Sequence, residues 1–140
     1  MGITIKLNGA VMGIDDVLIN LPWQTGFYNV VQLIAFEKPK LLFGYQGNIH
    51  GRILSNYLDR EKIDYTSFQS YDELGNNLAV PLAIRETYQA IGMGRAVVSQ
   101  NKKMIALFGS CHEYGLSIDK SHIETMQQLS LDWKITELSR

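Results

Sequence analysis

The stretch LLFGYQGNIHGR, residues 41–52, has the residue types and spacing best suited to binding an anion. Glycines stand at positions 44, 47 and 51, and the pattern becomes helical directly after them. Amide N–H groups in the first turn of a helix lack intrahelical partners, and together with the helix dipole they favour a negatively charged ligand. Glycine lets such a ligand approach the backbone because no Cβ intervenes. His50 or Arg52 could add a charged donor.

A second glycine pair, in the stretch GMGR at residues 92–95, brings another arginine, Arg95, which could converge on the same anion. The glycine spacing matches neither the dinucleotide-binding fingerprint nor the P-loop motif. Structural alternatives stay open: Gly44 and Gly47 could form a strand-to-helix turn, Gly51 could let the helix pack closely, and Gly92 could be a helix C-cap followed by a turn. The predicted ligand-binding residues are Gly44, Tyr45, Gly47, Asn48, His50, Gly51, Arg52 and Arg95.

The longer segment FGYQGNIHGRILSNYLDREKIDYTSF resembles part of the ribokinase/phosphofructokinase-type sugar kinases. In that part of the family a strand ends in glycines, and a helix and a second strand follow. The residues that carry the resemblance are Gly44, Gly47, Gly51, Ile63 and Phe68. The resemblance covers residues 40–68, and the family's Gly-Ala-Gly-Asp motif with its catalytic aspartate has no counterpart here. It therefore implies a small phosphorylated or ribose-like ligand and assigns no catalytic residue.

A thiol, an imidazole and a carboxylate are consecutive in the stretch GSCHEYG, residues 109–115. Cys111 and His112 are poorly spaced as a nucleophile and its base, because adjacent residues of an extended segment point to opposite faces. His122 could serve instead, with Glu124 nearby. The alternative is structural, with Cys111 a small buried residue and His122 a core histidine. The spacing matches no zinc site, and we predict neither a metal nor a cofactor.

The composition indicates a single globular domain over residues 1–140, with 46% apolar and 19% charged residues. The formal net charge is −1 and Lys102-Lys103 is the one adjacent basic pair, which argues against nucleic-acid binding through phosphate contacts. No apolar stretch approaches the roughly 20 residues of a membrane span. A single cysteine excludes an intrachain disulfide, and the sequence predicts a cytoplasmic protein without a membrane partner.

Hydrophobic periodicity predicts an α+β (mixed α/β) fold with three to four helices. Alternation before Asn8-Gly9 predicts an N-terminal β-hairpin, and a second hairpin is expected over residues 95–108. The helices are predicted within 25–38, 51–63, 80–92 and 117–129, and a final strand within 132–138. Thr25 and Ser117 are the predicted caps of the first and the last helix, and the valines of 25–38 also suit a strand. A strand at 40–45, the helix at 51–63 and a strand at 65–70 would form a central βαβ unit. Exposed edges of short strands favour a homo-oligomer.

These patterns lead to a functional prediction with two alternatives. The leading prediction is a non-catalytic, oligomeric module that binds an anionic, nucleotide- or sugar-phosphate-like molecule at the glycine loop. Tyr45 is the aromatic residue of most interest because it lies inside that loop. The first alternative is a small enzyme that uses Cys111, His112 or His122. The second is a protein–protein adaptor that uses its edge strands or aromatic surface.

Overall fold

A computed structural model describes residues 4–7, 10–13, 17–45, 47–71 and 74–138. Within these ranges the chain is mostly β, and its main sheet curls into a half barrel. Of these residues, no helix is both long and apolar enough to cross a membrane. The elements are β1 (Thr4–Leu7), β2 (Ala10–Gly13), β3 (Leu18–Ile19), β4 (Gly26–Ala35), β5 (Lys38–Tyr45), α1 (His50–Arg60), β6 (Ser67–Tyr71), β7 (Asn77–Pro81), β8 (Ile84–Arg85), β9 (Tyr88–Ser99), β10 (Met104–Phe108), β11 (Ser110–Cys111), β12 (Leu116–Ser117), α2 (Lys120–Leu129) and β13 (Lys134–Glu137).

The main sheet of the described chain has seven strands, in the order β13-β10-β9-β4-β5-β3, with β8 added beside β9. The central strands β10, β9, β4 and β5 pair antiparallel with one another. The two edge strands, β3 and β13, are parallel to their neighbours. The pairs β1–β2, β6–β7 and β11–β12 form separate two-stranded ladders.

Helices cover both faces of the main sheet, which gives the molecule two hydrophobic cores. On one face Met126 of α2 packs into the cluster that contains Val30 of β4. On the other face Leu54 of α1 packs into the cluster that contains Val31. Val30 and Val31 are neighbours in the chain and both are fully buried, because consecutive strand residues point to opposite faces. The central strands are therefore apolar on both sides.

The prediction of a mixed α/β fold with three to four helices is wrong, since the described chain contains two helices, α1 and α2. Segment 25–38 forms β4 and the turn after it. Both faces of this strand are covered, so its apolar residues do not alternate with polar ones. The resulting spacing of Phe27, Val30 and Ile34 imitates the stripe of an amphipathic helix. Thr25, the predicted helix cap, accepts a hydrogen bond from the Gln100 N–H instead.

The helix predicted over residues 80–92 is also wrong. Pro81 ends β7, and Gly92 lies inside β9 rather than at a helix C-cap. The pairing of β9 with β4 shifts register between Gln32 and Leu33, which marks a β-bulge. A bulge adds one residue to a strand and changes which face the following residues occupy. The apolar positions of β9 consequently lose the period of two that identifies a strand.

The predicted βαβ unit does not form. β6 pairs antiparallel with β7 and not with β5, although β5, α1 and β6 follow one another as expected. Both predicted hairpins are confirmed as antiparallel pairs, β1–β2 and β9–β10, while the turn at residues 8–9 lies outside the described residues. The helices at 51–63 and 117–129 and the last strand are also confirmed. Asp119, rather than the predicted Ser117, caps α2 by accepting from the His122 N–H at 2.8 Å.

Candidate functional site

A cleft of about 330 Å³ opens beside the loop that joins β5 to α1. Its walls come from the segment that precedes β4, from the adjoining ends of β4 and β5, and from α1. Small-molecule sites typically have volumes of about 300–1,000 Å³, so the cleft can hold a compact ligand. The lining residues are Asn20, Leu21, Pro22, Trp23, Tyr28, Phe43, Gly44, Tyr45, Asn48, Ile53 and Asn56.

Trp23 lies on a loop that the sheet holds in place. The side-chain amide of Gln100 donates to the Pro22 carbonyl. The Tyr28 hydroxyl donates to the Gln24 carbonyl at 2.7 Å. Although both its flanks are fixed, the Trp23 side chain is 83% exposed. Tryptophan is usually largely buried, whereas this loop presents its ring to solvent beside the cleft.

Tyr45 provides a second exposed aromatic ring at the end of β5. Its side chain is 70% exposed, and its ring centroid lies 6.2 Å from that of Tyr28. Tyr28 in turn is buried at the base of the same cleft. Trp23 and Tyr45 thus offer flat apolar surfaces on which a ring-shaped ligand can stack.

Three asparagine side chains line the cleft. In the described part of the chain, the side chains of Asn20, Asn48 and Asn56 line it without an intramolecular hydrogen bond. Each amide can both donate and accept. Among the described lining residues there is no carboxylate, imidazole, thiol, amine or guanidinium group. The cleft therefore offers stacking and hydrogen bonding, without the groups that most often carry acid–base catalysis.

Asn29 of β4 positions the loop at the mouth of the cleft. Its Nδ2 donates to the Asn48 carbonyl at 2.8 Å, and the Asn48 N–H donates to the Tyr45 carbonyl at 2.9 Å. Asn29 is only 8% exposed and pairs with Gly44 across the β4–β5 ladder. Asn29 is not among the residues predicted from the sequence, where its signal is a single amide at the start of the apolar run of β4.

Two of the three predicted glycines of this loop, Gly44 and Gly51, lie where the packing leaves no room for a Cβ. A Cβ at Gly44 would lie 2.5 Å from Ile53 Cγ1, and a Cβ at Gly51 would lie 2.5 Å from Val80 Cγ1. Gly44 therefore lets α1 approach the sheet, and Gly51 lets α1 approach β7. Gly47 faces open space, and no atom lies within 4 Å of a Cβ built there. The close contact at Gly51 agrees with the structural alternative that this glycine lets the helix pack closely.

The three basic residues of the predicted site occupy different surroundings. His50 Nε2 donates to the Gly94 carbonyl at 2.8 Å and ties the start of α1 to β9. Burial lowers the pKa of His50, and the positive charge of Arg95 lowers that pKa further. Arg52 is exposed and precedes Asn56 by four residues, so the two lie on one helix face. Arg95 is exposed near His50 and does not line the cleft.

The residues of the catalytic alternative are separated in the structure. Cys111 is buried in the core on the α1 side, and burial raises the pKa of its thiol. His122 belongs to α2 on the other face, where its Nε2 donates to the Leu33 carbonyl at 3.1 Å. His112 is exposed in the turn between β11 and β12. Among the described residues, no group of three or more His, Cys, Asp or Glu side chains could hold a metal ion.

The structure brings together part of the predicted site. Gly44, Tyr45 and Asn48 line the cleft and Arg52 stands on the adjoining face of α1, whereas Gly47, His50, Gly51 and Arg95 lie outside the lining. Trp23, Asn20 and Asn56 line the cleft but are not among the predicted residues. The signal for Trp23 was an aromatic residue between Pro22 and Gly26, in a stretch typical of a loop. Comparison with models of known protein families and with curated protein sequences gives no match.

Proposed function

We propose that the protein is a non-catalytic binding module for a small, ring-bearing anion such as a nucleotide or a sugar phosphate. The observation that supports the proposal is the cleft in which exposed Trp23 and Tyr45 accompany three asparagine amides without intramolecular partners in the described chain. The ring of the ligand stacks on the aromatic side chains, and the amides hydrogen-bond to its edge. The module acts in the cytoplasm, where a free thiol such as Cys111 stays reduced.

The negative charge of the ligand lies at the mouth of the cleft, beside Arg52. Among the described residues no cationic side chain lines the cleft itself, so a phosphate is not bound in its interior. Arg52 stands in the first turn of α1, where the helix dipole also favours an anion. An exposed ion pair contributes about 0–1 kcal/mol, whereas stacking of one base on an aromatic side chain contributes about 1–3 kcal/mol. The ring therefore supplies most of the affinity.

A fluorescence titration tests this proposal. The chain has two tryptophans, and Trp133 is only 4% exposed, so the neutral quencher acrylamide acts mainly on Trp23. AMP, UMP and ribose 5-phosphate are added separately, and at least one of them is expected to protect Trp23 from quenching in a saturable manner.

The matched variants locate the binding. Tyr45→Ala is expected to weaken the protection, whereas Tyr71→Ala, which removes a ring of similar exposure (61%) on β6, leaves it unchanged. Calorimetry measures the same affinities independently of fluorescence. If none of the three compounds binds at millimolar concentration by either method, the proposed function is wrong.

A further inference from the structure

We propose that the cleft selects adenine, so that the ligand is an adenine nucleotide. This inference rests on the proposed binding function and names the ring that enters the cleft.

The part of the cleft that receives the ring is built for an uncharged group. The described polar side-chain groups that line it are asparagine amides, tyrosine hydroxyls and the indole N–H of Trp23, all of them uncharged. A charged group in such a cleft would lose its hydration without gaining a counter-charge. A nucleobase suits these surroundings, because both of its faces can stack on aromatic rings while its edge carries hydrogen-bond donors and acceptors. The volume of about 330 Å³, near the lower limit for small-molecule sites, suits one base with its sugar.

The asparagines favour adenine over guanine. Adenine presents an acceptor, N7, next to a donor, the N6 amino group, and one asparagine amide complements this pair with a donor and an acceptor. Guanine presents two acceptors, N7 and O6, on the same edge, and arginine or lysine is their usual partner. Within the described lining neither of those residues occurs.

Asn56 and Asn48 are the amides best placed to read the base. Asn56 lies on α1, a rigid element, and its side chain is exposed and makes no intramolecular hydrogen bond in the described chain. Asn48 has its backbone fixed by Asn29 from one side and by Tyr45 from the other. Arg52, four residues before Asn56, is on the same helix face and can meet the phosphate of a nucleotide whose base contacts Asn56.

The test compares adenosine with inosine by calorimetry on the full chain. The two nucleosides are uncharged, and inosine presents the same N7 and O6 acceptors as guanosine. Adenosine is expected to bind at least about tenfold more tightly than inosine, the ratio that a well-formed bidentate pair provides. Asn56→Ala removes both the donor and the acceptor of the amide and is expected to reduce this ratio to near one. Asn77→Ala, on the exposed side of β7, is expected to leave the ratio unchanged.

The outcomes separate this inference from the proposed function. If adenosine and inosine bind equally well, the selection of adenine is overturned while the binding function stands. If the Asn56→Ala and Asn48→Ala variants both fold and both retain the wild-type ratio, the assignment of base reading to these amides is overturned. If neither nucleoside, nor AMP, nor UMP, nor ribose 5-phosphate binds, the proposed function itself fails.

Discussion

Trp23 and Tyr45 contribute little to the packing of the fold, since both rings are largely exposed. At the scale of single residues, ligand affinity can therefore be changed without changing stability. Trp23→Ala and Tyr45→Ala are each expected to weaken AMP binding by about 1–3 kcal/mol. The free energy of unfolding should stay within about 0.5 kcal/mol of the wild type. Calorimetry and urea denaturation measure the two quantities, and a large loss of stability in either variant would show that the ring belongs to the fold.

His122 makes the stability of the fold depend on pH. It is buried, its Nε2 bonds to the Leu33 carbonyl, and its Nδ1 has no hydrogen-bond partner in the described chain. Burial lowers the pKa of His122 below 6.5, although the nearby Asp119 carboxylate and the backbone of Leu33 and Lys40 oppose that shift. The unfolded chain consequently binds a proton more readily than the folded one as the pH falls through 6.5.

We expect the contribution of His122 to the free energy of unfolding to be complete above about pH 7 and to fall between pH 7 and 5. Urea denaturation at several pH values in this range measures the slope of the free energy of unfolding against pH. In His122→Gln the slope should be smaller, and the remainder should come from His50, whose pKa is also lowered by burial. His112→Gln, at an exposed turn, serves as the control. An unchanged slope in His122→Gln would contradict this interpretation.

Part of the candidate site could be predicted from residue types alone. Tyr45 and Asn48 were predicted because they lie three residues apart in one glycine-containing loop. The sequence could not place Trp23 and Asn56 at the same site, because they come from separate segments that meet the loop only after the sheet has formed. His50 was assigned to the ligand, but its ring bonds to the Gly94 carbonyl of a strand far away in sequence.

At the scale of elements, Gly44 and Gly51 fix the position of α1 against its neighbours. A methyl group at Gly44 would lie 2.5 Å from the Ile53 side chain, and a methyl group at Gly51 would lie 2.5 Å from the Val80 side chain. Gly44→Ala and Gly51→Ala are each expected to lower the free energy of unfolding by about 1–3 kcal/mol, the usual cost of overpacking. Gly47→Ala, which meets open space, is the matched control. Urea denaturation of the three variants measures the effect, and equal stability of all three would contradict the packing role.

The glycine pattern and the hydrophobic pattern misled the sequence analysis for physical reasons. Close approach of a ligand and close approach of a helix require the same residue, so Gly44 and Gly51 carried no information on which of the two occurs. In β4, Val30 and Val31 are both buried because helices cover both faces of the sheet. In a strand with two buried faces, apolar and polar residues do not alternate. The strands with which it pairs are set by contacts between residues distant in sequence. α1 and α2 each bury one face and were predicted correctly.

At the scale of the whole molecule, the two cores place Cys111 and His122 on opposite sides of the sheet. We expect the Cys111 thiol to be protected from iodoacetamide in the native protein, because it is buried and its pKa is raised by burial. Mass spectrometry should show modification only when urea unfolds the chain. If iodoacetamide modifies Cys111 rapidly in the native protein, even at a pH below the ordinary pKa of a thiol, the result would favour the catalytic alternative instead.

The homo-oligomer stays a prediction. The edge strands of the described main sheet are short, with two residues in β3 and four in β13. Lys134 and Glu137 of β13 are exposed, and short charged edges disfavour pairing with another sheet. An oligomer would therefore associate through a face of the molecule rather than by strand addition. Light scattering of the purified chain measures its mass.

The most direct test of the central claim is an amide chemical-shift titration of the ¹⁵N-labelled chain with AMP. The spectrum reports backbone amides, the indole N–H of Trp23 and the asparagine side-chain amides, so it identifies the residues that meet the ligand. We predict that the shifts concentrate in residues 20–28 and 43–56, with the side-chain signals of Asn48 and Asn56 among the largest. Saturable shifts concentrated instead around residues 109–125, or none at millimolar AMP, would contradict the assignment of this cleft as a nucleotide site.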